Sequence, residues 1–374
     1  MTGGDRHGLE VLAGWQTRPD AAITVYTTTI GAYVCENYRY ALPLRVVSGR
    51  AIDFARDPII GLLRRLRSAL RVALSVPVPD MIYSNSLYFY DLLPTLLLRL
   101  RSRQARVVVP VFHLVARPNQ RRGNPIINML AYAEQRAMLR LVPIFADVVI
   151  TADPALAKKL PKLRRRDARI VITDMGVHDR RDANFAREQH DAVYVGRLTA
   201  VKGLEELLDA WTVVVKSLPA AELALIGNAI GEFDPAAAVR KRRLERNVKI
   251  YHDVSDEELR AHVRASKIFI TASREEGYGI SILDALAEGV PCVSFDLPAF
   301  TSAFPYGRIS PKTMSAQGLA DCAIRLLTDR VEYARFQDEI RQRYRFKTWG
   351  QVSEQMWDSC VASTLTSSHA VSDR

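Results

Sequence analysis

Apolar residues in the second half of the chain recur with two periods. Short runs, DAVYVG (191–196), ELALIG (222–227), NVKIYHDV (247–254), KIFITAS (267–273) and VPCVSFD (290–296), are apolar or alternating and read as strands. Between them, GLEELLDAWTVVVKSLP (203–219) places Leu204, Leu207, Leu208, Trp211, Val214 and Val215 at helical spacing and closes on Pro219. SDEELRAHVRAS (255–266) opens with Ser255 and has Glu258 three residues on, the spacing of a capping box. EEGYGISILDALAEG (275–289) is a glycine loop running into a helix that Gly289 stops. Strands alternating with helices of this length predict a parallel sheet covered on both faces.

The first half repeats the rhythm less clearly. AITVYTT, DMIYSNS, RVVVPVFH and DVVITA read as strands, and Asp57–Ser75 and Ile126–Phe145 as helices. The predicted fold class is α/β, with two Rossmann-like, doubly wound domains. The first spans 1–177, a polar linker 178–190, and the second domain 191–345. Such domains place ligands beyond the carboxyl ends of their strands, in the cleft between them. Candidate site residues should therefore follow strands.

A length of 374 residues fits about two domains. With 48% apolar and 25% charged residues the composition is that of a globular protein, which excludes collagen-like and disordered classes. The longest apolar stretches, around Leu92–Leu100 and Val107–Ala116, are interrupted by Pro94, Arg99, Pro110 and His113, so no membrane-spanning helix is expected. The N-terminus lacks the apolar core of a signal peptide. Cys35, Cys292, Cys322 and Cys360 form no C-x-x-C pair, which argues against zinc and disulfides and leads us to expect a cytoplasmic protein.

Charge adds an asymmetry. Residues 1–180 hold 27 Lys and Arg against 14 Asp and Glu, whereas residues 181–374 hold 25 against 27. The basic excess belongs to the first half and would attract polyanions. DPIIGLLRRLRSALRVALSV (57–76) is a basic amphipathic helix, with Ile59, Leu62, Leu63, Leu66, Leu70, Ala73 and Leu74 on one face and Arg64, Arg67 and Arg71 opposite. It could lie on an anionic membrane surface or simply cover a sheet. No helix-turn-helix, RRM or KH signature occurs, so nucleic acid is not an expected partner.

Arg197 and Lys202 follow the strand that ends at Gly196 and bracket a loop opening a helix. Two cations at a helix N-terminus suit a diphosphate and the charge that develops on a departing one; the alternative is a turn glycine with two solvated cations. In the glycine loop, Gly277 and Gly279 expose backbone amides at the mouth of a helix. Glu276 in that loop and Asp284 within the helix are acceptors for sugar or ribose hydroxyls. His113 ends RVVVPVFH, and Gly3 and Gly4, followed by Arg6 and His7, could form a phosphate-facing loop. The remaining histidines show no metal spacing and no Asp-x-Asp occurs, so no metal and no cofactor is expected.

VGRLTAVKGLEELLDAW, ELALIG, VSDEEL and SREEGYGISILDALAEGVPCVSFDLPA resemble, in order, the C-terminal domain of the retaining GT-B glycosyltransferases of the group 1, or family four, type. More weakly, GGDRHGLEVLAGW resembles that family's first glycine loop and helix, and FKTWGQVSEQM a closing helix, which places 346–374 back on the first domain. The resemblance implies two domains facing a central cleft and a nucleotide-diphosphate sugar held mainly by the second. Gly196, Arg197 and Lys202 would meet the diphosphate. Glu276 would lie by the donor sugar, with Gly277, Tyr278 and Gly279 facing sugar and phosphate. Asp284 would take the ribose hydroxyls, and His113 would reach the sugar. Transfer to a glycan or lipid-linked acceptor would retain the anomeric configuration without a metal, in surface-polysaccharide or glycolipid synthesis, with the basic half on the inner membrane face.

Two departures accompany the resemblance. The family usually has Glu where Asp284 stands, and it usually has a strand ahead of the first glycine loop. Here Gly3 nearly begins the chain, so the recorded start lies downstream of the true one or the first sheet is one strand short. The alternatives are a nucleotide-sugar 2-epimerase, which shares the architecture, and a non-catalytic sugar-nucleotide-binding partner.

Overall fold

The computed structural model describes residues 3–48, 58–121, 125–178, 189–229 and 233–361. The chain divides into two units, Met1–His178 with Lys347–Arg374, and Asp179–Phe346.

The first unit opens with α1 (Gly3–Gln16), β1 (Val25–Thr28), α2 (Thr29–Asn37), β2 (Leu44–Ser48) and α3 (Pro58–Ser75). It continues through β3 (Met81–Tyr83), α4 (Phe89–Arg101), β4 (Arg106–Pro110), α5 (Pro125–Phe145), β5 (Val148–Thr151), α6 (Pro154–Ala157) and β6 (Arg169–Ile172). Strands β3, β4, β5 and β6 pair in that order, all parallel. Strands β1 and β2 form a separate parallel pair. The central strands are apolar on both faces: Val107, Val108, Val109, Val148 and Ile150 are buried, as helices on a parallel sheet require. Strands β2 and β6 were not anticipated; both are short and adjoin charged or proline-containing segments.

The second unit comprises β7 (His190–Val195), α7 (Leu204–Ser217), β8 (Leu223–Ile226), α8 (Pro235–Lys241), β9 (Val248–Tyr251), α9 (Asp256–Ala265) and β10 (Ser266–Thr271). Beyond these come α10 (Ile280–Ala287), β11 (Cys292–Ser294), α11 (Pro298–Ala303), β12 (Arg308–Ile309), α12 (Ala316–Thr328) and α13 (Arg330–Arg343). Its six strands run β12-β11-β10-β7-β8-β9, all parallel. Strand order reverses between β7 and β10, the switch point of a doubly wound sheet. Leu204, Leu207, Leu208, Trp211 and Val214, the helical stripe read from sequence, are all fully buried against that sheet. The capping box at Ser255 and Glu258 is formed in both directions.

Residues 179–188 of the expected linker lie outside the described residues, and His190 already opens β7. The last helix, α14 (Trp349–Cys360), packs within the first unit. Trp15 Nε1 donates to the Ser353 carbonyl at 2.9 Å, and Ser353 Oγ donates to the Val11 carbonyl at 3.0 Å. The Trp15 and Trp357 rings meet edge to face at 5.5 Å.

Helix α3 is turned differently from the expected phase. Ala69, Val72, Ala73 and Val76 are buried, whereas Leu70 and Leu74 are 41% and 73% exposed, on the same side as exposed Arg67 and Arg71. The apolar positions span more of the helix than one contact can cover, and the smaller side chains allow the closer approach. The side chains of Ile59, Leu62 and Leu63 lie outside what the structure describes.

Candidate functional site

The loops after β7 and β10 leave the sheet on either side of the switch point, and they are joined there. Lys202, at the end of a short 3-10 turn before α7, donates its ammonium to Glu276 Oε1 at 2.6 Å. Both side chains are about one-fifth exposed, at 20% and 21%. A second ion pair lies beside the first: Arg274 Nη2 and Nε donate to the Glu206 carboxylate at 2.6 and 2.9 Å. Arg274 thus ties the glycine loop to the first turn of α7. The backbones also approach closely. Gly203 adopts φ 74°, and a Cβ there would lie 2.1 Å from the Ala272 carbonyl oxygen. Only glycine fits that conformation and that gap.

Helices α7 and α10 begin at left-handed glycines, Gly203 and Gly279, and neither receives a side-chain cap. Their first-turn amides and the positive ends of both helix dipoles therefore face the same loops. By contrast, α8, α9, α12 and α13 are capped by Asp234, Ser255, Ser315 and Asp329. Uncapped helix starts beside a cation form an anion site.

Tyr194, next to the end of β7, was missed from sequence because its run reads simply as a buried strand. It is fully buried, and its hydroxyl donates to the Arg197 carbonyl at 3.1 Å. Burial, then the nearby Glu276 carboxylate, push its phenol up, while Arg197 pulls the other way; the group stays a neutral donor. Tyr194 thereby fixes the Gly196–Arg197 turn. The Arg197 side chain is exposed, so of the two expected cations Lys202 is engaged by protein and Arg197 extends outward. Gly277 and Tyr278 lie in the loop, and the Tyr278 ring stands edge to face on Phe304 at 5.4 Å. Asp284 sits half-buried, one turn into α10. Among the described residues no group of three His, Cys, Asp or Glu side chains could hold a metal ion.

The remaining candidates belong to the first unit. Strand β4 ends at Pro110, so His113 lies three residues past it rather than in it. The reason is local: Gln135, buried in α5, replaces a neighbouring strand, donating to the His113 carbonyl at 2.9 Å and accepting from the Val115 N–H at 2.7 Å. Gly3 and Gly4 form the first turn of α1 instead of a loop, since helix begins at Gly3. His7 points into the core, fully buried, 4.7 Å from the Phe112 ring and 6.0 Å from Trp349, with no hydrogen bond at either ring nitrogen. Burial lowers its pKa to about 4, so it is a neutral core group and not a phosphate ligand.

The profile of the family described as glycosyl transferases group 1 matches residues 178–343, which is nearly the whole second unit. The second unit is thus similar to the group 1 glycosyltransferases. The chain is 28% identical over 168 residues to the poly(glycerol-phosphate) alpha-glucosyltransferase of Bacillus subtilis, covering 42% of this chain and 23% of that protein. It is 32% identical over 110 residues to the GDP-mannose:cellobiosyl-diphosphopolyprenol alpha-mannosyltransferase of Xanthomonas oryzae, 29% of each chain. The chain thus spans less than a third of the length of these two relatives. Among solved structures, Anabaena HepE in complex with UDP and glucose superposes with TM-score 0.72 at 18% identity, over 98% of this chain and 96% of that one. The likeness is one of fold: the two units are the two Rossmann-like halves of a GT-B architecture, and the region matched by the family lies in the second.

Proposed function

We propose that the chain is a glycosyltransferase that moves a sugar from a nucleotide-diphosphate donor to a glycan or lipid-linked acceptor. The observation that carries the reading is the Lys202–Glu276 ion pair across the switch point, beside two helix starts without side-chain caps. A donor needs a cationic, amide-rich place for its diphosphate and an acceptor of hydrogen bonds for its sugar, at one spot. Lys202 has three N–H donors and can hold Glu276 and a phosphate oxygen together. Arg197, exposed on a turn fixed by Tyr194, is free to close on the second phosphate. As the bond from the sugar to the diphosphate breaks, negative charge grows on the leaving group; Lys202 and the helix-start amides, already in place, stabilise it, and Arg197 adds to them once it has closed. Glu276 orients the sugar, and Asp284 accepts from ribose hydroxyls. UDP and glucose in HepE, and the diphosphopolyprenol acceptor named for the Xanthomonas relative, support the donor and acceptor classes.

Retention of configuration and independence from metal are the finer parts of the proposal; they rest on the resemblance of EEGYGISILDALAEG. A cytoplasmic, membrane-face site of action is a further part of the proposal and rests on the basic excess of residues 1–180. A thermal-shift panel of nucleotide sugars tests the donor site: a ligand at about 100 times its dissociation constant adds about 2.7 kcal/mol. NMR of the product in the presence of a chelator reads the anomeric outcome and the metal dependence together. If no nucleotide sugar raises the melting temperature and Glu276→Ala leaves turnover unchanged, the reading is wrong.

A further inference from the structure

Two acids, Glu205 and Glu206, stand in the first turn of α7. Acids there ordinarily help a helix start, because they lie at the positive end of its dipole. At a start that receives a diphosphate they compete with the ligand. Both are held by arginines from elsewhere in the second unit. Glu205 Oε2 accepts from Arg242 Nη2 at 2.5 Å, while Arg242 Nε donates to Asp209 at 2.7 Å. Glu206 has both oxygens on Arg274, Oε1 on Nη2 at 2.6 Å and Oε2 on Nε at 2.9 Å. With Gly203 as cap, Glu206 is the third residue of the helix, the position from which a glutamate ordinarily reaches back to the cap N–H. Glu258 in α9 and Gln351 in α14 do reach back. In α7 the Gly203 N–H goes to the Ala200 carbonyl at 3.0 Å, and the carboxylate is on Arg274. Arg274 is itself fixed: its guanidinium lies over the Phe295 ring at 5.2 Å, and Nη2 also donates to the Met314 carbonyl at 2.9 Å. Glu206 is 16% exposed and Arg274 33%, so water screens the pair only in part.

We propose that Arg274 is a positioning residue of the donor site: by holding Glu206 it keeps a negative charge off the start of α7 and leaves Lys202 to Glu276 and the diphosphate. Without the guanidinium, Glu206 is an uncompensated carboxylate at the helix start. There it repels the diphosphate, and it offers Lys202, four residues earlier in the chain, a second acid to pair with in place of Glu276. Arg274 acts through Glu206, two residues ahead of Glu276, so one side chain both sets the glycine loop in place and clears its neighbour's charge. Its planar fork matches a carboxylate in a way a lysine does not. The role rests on the nucleotide-diphosphate reading of the site.

Calorimetric titration of the full chain with UDP, GDP, ADP, CDP and dTDP tests the proposal, on the parent, R274M, R274K, E206Q and R274M/E206Q. R274M leaves the acid unguarded and should weaken binding of the nucleotide that the parent takes by roughly tenfold, the effect of one uncompensated charge at the effective dielectric constant of a partly exposed site. The loss should shrink as salt is raised. R274K keeps the charge without the fork and should bind within about threefold of the parent while melting lower. E206Q, with no acid to guard, should bind at least as well as the parent. The double variant decides. It should recover most of the affinity that R274M loses, although its melting temperature stays low because the tie is absent in both. A tie that is merely structural predicts a double variant as weak as R274M. That result overturns the proposal, and so does R274M binding as the parent does. A parent that binds none of the nucleotides removes the donor reading itself. A parent that binds one, with a double variant no better than R274M, removes the role of Arg274 alone.

Discussion

Lys202 and Glu276 are 74 positions apart and in direct contact, Nζ to Oε1 at 2.6 Å. Each lies in a different βα connection, and the contact exists because β7 and β10 are neighbours although β8 and β9 separate them in the chain. Two groups with complementary charge are thereby held at the place where a doubly wound sheet binds its ligand.

Lys202→Met and Glu276→Gln should therefore cost far more activity than stability. Removing a positioned charge from such a site costs about 10²–10³ in turnover. A partly exposed ion pair is worth only about 1 kcal/mol to the fold. Steady-state kinetics alongside urea unfolding separates the two, and a loss of stability that accounts for the whole loss of rate would argue against a functional pair.

Gly203→Ala should be destabilising by more than about 2 kcal/mol, since the substitution adds a left-handed strain to a Cβ 2.1 Å from the Ala272 oxygen. Val201→Ala, two residues away and 55% exposed, should be within about 0.5 kcal/mol of the parent. Similar unfolding midpoints for the two variants would mean that the loops are not in close contact.

Trp15→Ala should cost about 3–5 kcal/mol, because the side chain is 1% exposed and joins α1 to α14 by packing and by its bond to Ser353. Trp15→Phe keeps most of the packing and loses that bond, so it should lie between Trp15→Ala and the parent in urea unfolding.

The acid limb of stability should carry a contribution from His7. Its pKa is lowered to about 4 by burial, below the ordinary value of 6.5. Between those values the unfolded chain binds a proton that the native chain does not, so stability rises with pH in that window. The contribution is complete above pH 6.5 and lost as pH falls toward 4, on the order of 3 kcal/mol. His7→Leu should flatten the melting temperature between those two pH values. An unchanged slope in the variant would assign the acid sensitivity to other groups.

The second unit was largely legible in the sequence. Its strands are short apolar runs, α7 has a clean stripe from Leu204 to Val214, and the Ser255–Glu258 spacing announced the start of α9. Other features were not legible. Strand β12 is two residues long, too short for any period. Helix α3 holds enough leucines for two faces, and only packing decided that Ala69, Val72 and Ala73 go inward. His113 read as the end of a strand because nothing near it in sequence announces that Gln135 will take over its backbone bonds.

Periodicity, caps and turn glycines belong to a few neighbouring residues, so the chain alone determined the alternation of strand and helix, the glycine starts at Gly203 and Gly279, and the basic bias of residues 1–180. Tertiary structure decided everything that depends on which strands become neighbours. It brought Lys202 to Glu276 and Arg274 to Glu206, and placed Tyr194 beneath Arg197. The physical reason is that local pattern states what a segment can form, while burial and strand order across hundreds of residues choose what it meets.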